Sequence, residues 1–232
     1  MNILVVGANS MIAQECCKIW SAEGHTLHLI SRDLIVNPCV EYNSHHQMKY
    51  SSDNFFNLAK TKFQDLIRDI DLVFIAYGTL TDNERFISDR KYALEELDLN
   101  LYSKIALINS LIPLLKKGSK IAAINSVAGS LPRKSNFSYG MHKSALSFYL
   151  QGLSLAYSRN LFFADIRPGL IISPMTENFK KNFLWTTSNT AAKIIVKGLD
   201  RDQKVIFVPW YWRFILLVLR IIPNFIFRKL NI

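Results

Sequence analysis

Apolar residues along this chain change their spacing in a repeating order. Positions 3–6 form a short unbroken apolar run that stops at Gly7, and over 11–20 the residues Ile12, Cys16, Ile19 and Trp20 recur at helical intervals before Gly24. That stretch predicts strand, turn and helix. Further short strands are predicted at 26–30, 71–76, 120–125 and 161–166, with helices over 55–67, 94–115 and 144–159. Residues 33–52 are weakly periodic, and the pattern gives them no element. Strands alternating with helices form βαβ units. Right-handed crossovers then lead to an α/β fold, a doubly wound parallel sheet covered on both faces. At 232 residues the chain is expected to form a single domain over 1–208, followed by an apolar and basic helical extension over 209–232.

Composition adds a question of charge. Half the residues are hydrophobic and a fifth charged, as in a packed globular protein, yet the formal net charge is +10. Anionic cofactors and substrates, an anionic membrane surface, or nucleic acid would each suit such a chain. The basic residues do not alternate with aromatics and form no nucleic-acid module, which sets nucleic acid aside. Cys16, Cys17 and Cys39 are odd in number and two are adjacent, a poor disulfide framework that fits a reducing cytoplasm. Cys16 and Cys17 are expected to pack in a helix and His45 and His46 to lie in a solvated loop, with no metal site. The N-terminus lacks the features of a secretory leader, and no run of about 18 uncharged apolar residues occurs. The expected location is cytoplasmic, with peripheral contact at the inner membrane surface.

Chemistry is concentrated in two places. The turn Gly7-Ala8-Asn9-Ser10-Met11-Ile12-Ala13 leads from a strand into a helix, and such a turn offers unpaired amides and a positive dipole end to a pyrophosphate. At the end of the second strand stand Ser31 and Arg32, then Asp33. A cation there favours a ribose 2′-phosphate, so the expected cofactor is NADPH. Further along, Tyr139 and Lys143 are four residues apart, on one face of a helix, and Ser126 lies thirteen positions before Tyr139 at a strand end.

Taken together, these residues resemble the short-chain dehydrogenases, single-domain enzymes of Rossmann fold. The turn is similar to their G-x-x-x-G-x-G segment, with Gly7 matching and Met11 and Ala13 standing for glycines. Ala76-Tyr77-Gly78 occupies the place of Asn-Ala-Gly, and Tyr50 or Ser51, with Asp53 just beyond, falls where an aspartate meets adenine. Ser126 with Tyr139-x-x-x-Lys143, in the context Asn125-Ser126-Val127-Ala128-Gly129, matches the catalytic pattern, and Asn100 stands at its fourth position. Arg167-Pro168-Gly169-Leu170-Ile171-Ile172-Ser173 is similar to the segment whose backbone, at Ile171, meets the cofactor's carboxamide, Ser173 replacing threonine.

The resemblance implies roles. A ketone that accepts hydride becomes an oxyanion and needs a proton donor and a hydrogen-bond donor in place. Tyr139 is implied as that proton donor, Ser126 orients the carbonyl oxygen, Lys143 holds the nicotinamide ribose and lowers the phenol's pKa, and Asn100 supports a water chain to Lys143. The implied cofactor contacts are Gly7, Asn9, Ser10, Met11 and Ile12 at the turn, Ser31 and Arg32, then Ala76, Tyr77 and Gly78. Tyr139, Lys143, Pro168, Gly169 and Ile171 complete them.

The rest of the chain bears on substrate and partners. Residues 174–187 stand where such enzymes carry a lid, and Met175, Phe179, Phe183 and Trp185 among Lys180 and Lys181 suit an amphipathic or anionic substrate, or ordinary helix packing. From Pro209 the chain is rich in Trp, Phe and Leu, carries Arg213, Arg220, Arg228 and Lys229, and bends at Pro223. This suits a segment lying in a membrane interface, or a helix buried in a homo-oligomer. The ending and the Arg-Pro-Gly segment resemble reductases of polyprenyl-phosphate-linked keto sugars, the decaprenylphosphoryl 2-keto-ribose reductase type. The expected activity is NADPH-dependent reduction of a ketone, on a lipid- or glycan-linked keto sugar of cell-envelope polysaccharide synthesis. Two alternatives stand beside it: a 3-oxoacyl or keto-lipid reductase, and a catalytically silent nucleotide-binding sensor or scaffold.

Overall fold

The computed structural model describes residues 1–34, 40–58 and 64–223. Its first unit is β1 (Asn2–Val6), α1 (Met11–Ala22) and β2 (Thr26–Ser31), as the apolar spacing predicts, with Gly24 closing the helix at φ +75°. Next come β3 (Ser44–Gln47), α2 (Ser52–Phe56), α3 (Gln64–Arg68) and β4 (Leu72–Ile75). Helices α4 (Asn83–Ser88) and α5 (Arg90–Leu97) lead into a wide turn over Asp98–Tyr102 and then α6 (Ser103–Leu111). The second half runs β5 (Lys120–Ile124), α7 (Phe137–Ala156), β6 (Phe162–Pro168), the short strands β7 (Ile171–Ile172) and β8 (Thr186–Thr187), α8 (Ser188–Asp200), β9 (Val205–Val208) and α9 (Trp212–Ile221).

Seven parallel strands in the order β3-β2-β1-β4-β5-β6-β9 form one Rossmann-type sheet. Strand β1 shows why its sequence is apolar throughout. Ile3 and Val5 enter the core beside α1 and α8, Leu4 and Val6 enter the core beside α6 and α7, and none of the four is more than 1% exposed. The strand order reverses between β1 and β4, so the loops leaving their C-terminal ends part and open a crevice there. Gly7 ends one of those strands and Ala76 to Gly78 the other.

Several expectations change. The region 33–52 contains β3, an edge strand with too few apolar residues to show period two. His45 and His46 lie on it, half-buried rather than in a solvated loop, and Ser31 Oγ and His45 Nε2 lie 2.6 Å apart. The helix expected over 55–67 is α2 and α3, with part of that span outside the described residues. The one over 144–159 already starts at Phe137, which brings Tyr139 and Lys143 into its first two turns. The helix over 94–115 is interrupted at Asp98–Tyr102, where the Ser103 N–H reaches the Asp98 carbonyl five residues back. Side chains occupy the neighbouring carbonyls: Ser103 Oγ donates to Leu99 at 3.0 Å, and Lys104 Nζ to Asn100 at 2.9 Å.

The extension begins as part of the fold. Trp212 and Leu216 on α9 pack against Val127, while Trp210, Phe214, Leu217, Val218 and Ile221 remain exposed. No described helix is long and apolar enough to cross a membrane. Cys16 and Cys17 are buried in α1 as expected, while Cys39, Arg228 and Lys229 lie outside the described residues.

Candidate active site

A groove enclosing about 1090 Å³ runs over the β1 and β4 ends, lined by Gly7, Asn9, Ser10, Met11, Ile12, Arg32 and the Ala76 to Thr79 segment. Gly7 has φ +97°, and a Cβ on it would fall 2.6 Å from the Tyr77 nitrogen, so no larger residue fits where the two loops meet. Behind it the first-turn amides of Met11, Ile12 and Ala13 have no acceptor among the described residues, which leaves the positive end of α1 bare toward the groove. The two missing glycines are absorbed differently. The methyl of Ala13 is fully buried against the sheet, and the Met11 side chain lies along the groove, 38% exposed.

Arg32 and Asp33 line the far end and pair at 3.1 Å, both well exposed, so guanidinium N–H groups remain for a ligand. Ser31 is not in the groove. It is fully buried, and its hydroxyl donates to the Asp33 carbonyl at 2.5 Å. Of the three residues expected near adenine, Tyr50 lines the groove and Ser51 and Asp53 do not. Ser51 caps α2 by accepting from Asn54, and Asp53 is exposed. Tyr50 stacks on Tyr77 with ring centroids 4.3 Å apart, and the Tyr77 hydroxyl lies 3.0 Å from Ser103 Oγ. The large Tyr77 ring is thereby held between Tyr50 and Ser103, only 6% exposed. Burial pushes the Tyr50 phenol up to about 12 and the Tyr77 phenol higher still, so neither is suited to give up a proton.

The groove continues into a cleft enclosing about 980 Å³, sharing Ser10, Ala76 to Thr79, Ser173 and Met175. Ser126, Tyr139 and Lys143 line it together, as do Pro168, Gly169 and Ile171. Glycines make this convergence possible. A Cβ on Gly129 would lie 2.6 Å from the Lys143 carbonyl carbon, and one on Gly140 would lie 2.9 Å from the Ala128 oxygen, so α7 rests directly on the turn that follows Ser126. Ser126 Oγ accepts from the Ala128 N–H at 3.1 Å, which leaves its own proton to donate into the cleft. Lys143 Nζ is 5.3 Å from the centre of the Tyr139 ring. On the β6 side, Asp165 accepts from Asn125, Ser147 and Arg167 and ties the sheet to α7 beside Ser126.

Asn100 lines neither space. Fully buried behind Gly78, it accepts from Thr79 N–H at 3.0 Å and donates to Thr79 Oγ1 and Glu96. Glu96 also accepts from Thr79 and Thr81, and Thr81 Oγ1 lies 3.4 Å from His142 Nδ1. Lys104 completes this cluster, fully buried, its Nζ 4.6 Å from the centre of the Tyr77 ring. Atoms of Asn100, Lys104 and Lys143 all lie within 4 Å of the point a Cβ on Gly78 would occupy. Desolvation pulls the Lys104 ammonium well below the usual lysine range, with Lys143 adding to it and Glu96 opposing. His142 is pulled down to about 4 by desolvation first, then by Lys143 and Lys104.

Sequence reasoning missed Glu96, Lys104, His142 and the cleft residue Arg133. The first two had a signal: Glu96, Asn100 and Lys104 recur every fourth position, three polar side chains stacked on the inner side of a helix. Of the expected lid, Met175, Phe179 and Trp185 line the cleft beside Thr176, whereas Phe183 is 90% exposed. The paired strands β7 and β8 hold both ends of that segment.

Known proteins share this fold. An uncharacterised oxidoreductase of Mycobacterium tuberculosis is 26% identical over 159 residues, covering 67% of this chain and 64% of that protein, so the chain spans less than two thirds of that relative's length. A short-chain dehydrogenase of Burkholderia cenocepacia in complex with NADP superposes with a TM-score of 0.77 at 15% identity, covering 95% of this chain and 93% of that one. A bulky-bulky ketone specific alcohol dehydrogenase of Comamonas testosteroni gives 0.75 at 17% identity, covering 97% and 96%. The family model for short chain dehydrogenases matches residues 1–183, more than half of the sequence, and the chain belongs to that family.

Proposed function

We propose that this protein reduces a ketone to an alcohol with NADPH as hydride source. The observation that carries the reading is the convergence of Ser126, Tyr139 and Lys143 on one cleft continuous with the groove at the α1 N-terminus. NADPH bound there supplies the hydride. The bare amides of α1 suit its pyrophosphate, Arg32 suits a 2′-phosphate, and the 168–171 backbone suits the carboxamide. The Ser126 hydroxyl donates to the substrate oxygen, and the Tyr139 phenol hands its proton to that oxygen as charge develops. Lys143, nearly inaccessible to water and with its Nζ 5.3 Å from the centre of the Tyr139 ring, sets a cation beside the site of proton transfer. Asn100 acts from behind, holding the 78–79 loop against Lys143.

The substrate we infer is a lipid- or glycan-linked keto sugar of the cell envelope, reduced by a cytoplasmic enzyme docked at the inner membrane surface. The apolar cleft residues Leu80, Leu170, Met175 and Phe179, together with Arg213 and Arg220 beside the exposed apolar face of α9, support that reading. Tyr139→Phe is expected to lower carbonyl-dependent NADPH oxidation by about a thousandfold while the NADPH dissociation constant stays within about threefold. A parent protein that binds NADPH but turns over no member of a broad ketone panel would instead be a nucleotide-binding scaffold. Flotation with anionic liposomes tests the surface, and a Phe214→Ser, Leu217→Ser variant should float less.

A further inference from the structure

The loop between the Ser126 turn and α7 places Arg133 in the cleft that Ser126 and Tyr139 also line. It takes no part in lining the nucleotide groove. The side chain is half-buried, and desolvation pulls it below the ordinary arginine value, with Tyr139 acting the other way. Among the described residues it has no ion pair and no side-chain hydrogen bond. Arg167 shows how this fold treats an arginine that it needs for structure. That side chain is 14% exposed and its guanidinium is bonded to Asp165 at 2.7 Å and to Ser147.

A guanidinium withdrawn from water without a counter-charge costs free energy that apolar contacts do not return, and its planar fork matches an oxyanion. Two other groups of cleft residues are also buried and without a hydrogen-bond partner among the described residues, the Trp185 indole nitrogen and the Asn136 side-chain oxygen. Asn136 stands three positions from Arg133, and its N–H donates to the Arg133 carbonyl. We propose that Arg133 is the anion anchor of the substrate: the ketone carries a phosphate ester or carboxylate that docks on this guanidinium while its carbonyl meets Ser126 and Tyr139. The proposal rests on the ketone-reductase reading and names the class of ketone that the site selects.

The test uses the full chain loaded with NADPH. Phenyl phosphate and benzoate are titrated by calorimetry, and turnover is compared for fructose 6-phosphate against fructose and levulinate against methyl levulinate. Arg133→Gln should weaken binding of the preferred anion by about 30-fold and cut the anionic-to-neutral kcat/KM ratio by a similar factor. Arg133→Lys should recover part of both, and Lys134→Gln, one position along the loop, should change neither. The phosphate and carboxylate arms show which oxyanion fits. The proposal is overturned if the parent binds neither anion, or if Arg133→Gln weakens anionic and neutral ketones alike. Arginine-dependent binding of an anion by a parent that reduces no ketone would leave the anchor standing and remove the reductase reading.

Discussion

The two walls of the crevice hold to their family's pattern unequally. On the nucleotide wall only Gly7 survives of the first turn's usual glycines, and Ala76 and Tyr77 replace amide-bearing and smaller residues before the retained Gly78, yet the groove is intact. On the catalytic wall Ser126, Tyr139, Lys143 and the glycines that seat α7 are all in place. The difference follows from what each wall presents. A pyrophosphate is held by backbone amides and a helix dipole, which any residue can supply whose side chain leaves the groove open, as Met11 lying along it does. Proton transfer needs particular side-chain atoms, and these cannot be substituted by shape.

After the loss of the Tyr139 hydroxyl itself, breaking the catalytic wall through its backbone should have the largest effect. Gly129→Val would push against the Lys143 main chain, and kcat/KM is expected to fall by at least about 100-fold with NADPH affinity nearly unchanged. Steady-state kinetics beside fluorescence titration would show this, and loss of both together would place Gly129 in the general fold instead.

A smaller effect concerns the cost of the polar cluster behind that wall. The folded-state pKa of His142, about 4, lies below its ordinary 6.5. Its contribution is therefore fully present above pH 6.5 and is lost as pH falls toward 4. Between those limits the parent should lose about 2 kcal/mol more unfolding free energy than His142→Leu, measured by denaturant titration. Parallel pH curves for the two proteins would show that the imidazole is not held neutral.

The nucleotide wall should yield less. Arg32→Ala is expected to lower the preference for NADPH over NADH by about tenfold, read from kcat/KM with each cofactor. A ratio that does not move would give the 2′-phosphate to another cation. Smallest of all, restoring the family's glycines by Met11→Gly or Ala13→Gly should alter the NADPH dissociation constant by less than about threefold, because the amides stay where they are. A large gain in affinity would mean that the departures do impair the groove.

Much of the site could be read from linear spacing. Ser126, Tyr139 and Lys143 sit on one strand end and one helix, so their separation in sequence translates directly into proximity. The central strands were equally legible, since burial on both sides leaves an apolar run. What spacing could not show is pairing across the chain. Strand β3 is polar and is defined by its partner β2, and the buried state of Ser31 depends on His45 across that edge. The spacing of Glu96, Asn100 and Lys104 hints at a shared face, but only the fold shows the buried Lys104 ammonium bonded to the Asn100 carbonyl. Arg133 lies in a loop whose sequence carries no period, and only the folded cleft shows that its charge lacks a partner among the described residues.

The central claim is that Tyr139 protonates a ketone that accepts hydride in the cleft. Its most direct test is a single-turnover reaction with NADPH deuterated at the nicotinamide C4, followed by mass spectrometry of the alcohol. The account predicts one deuterium at the former carbonyl carbon, transferred by the parent and not by NADPH-saturated Tyr139→Phe. Equal labelling by the two proteins, or an alcohol without label, would contradict it.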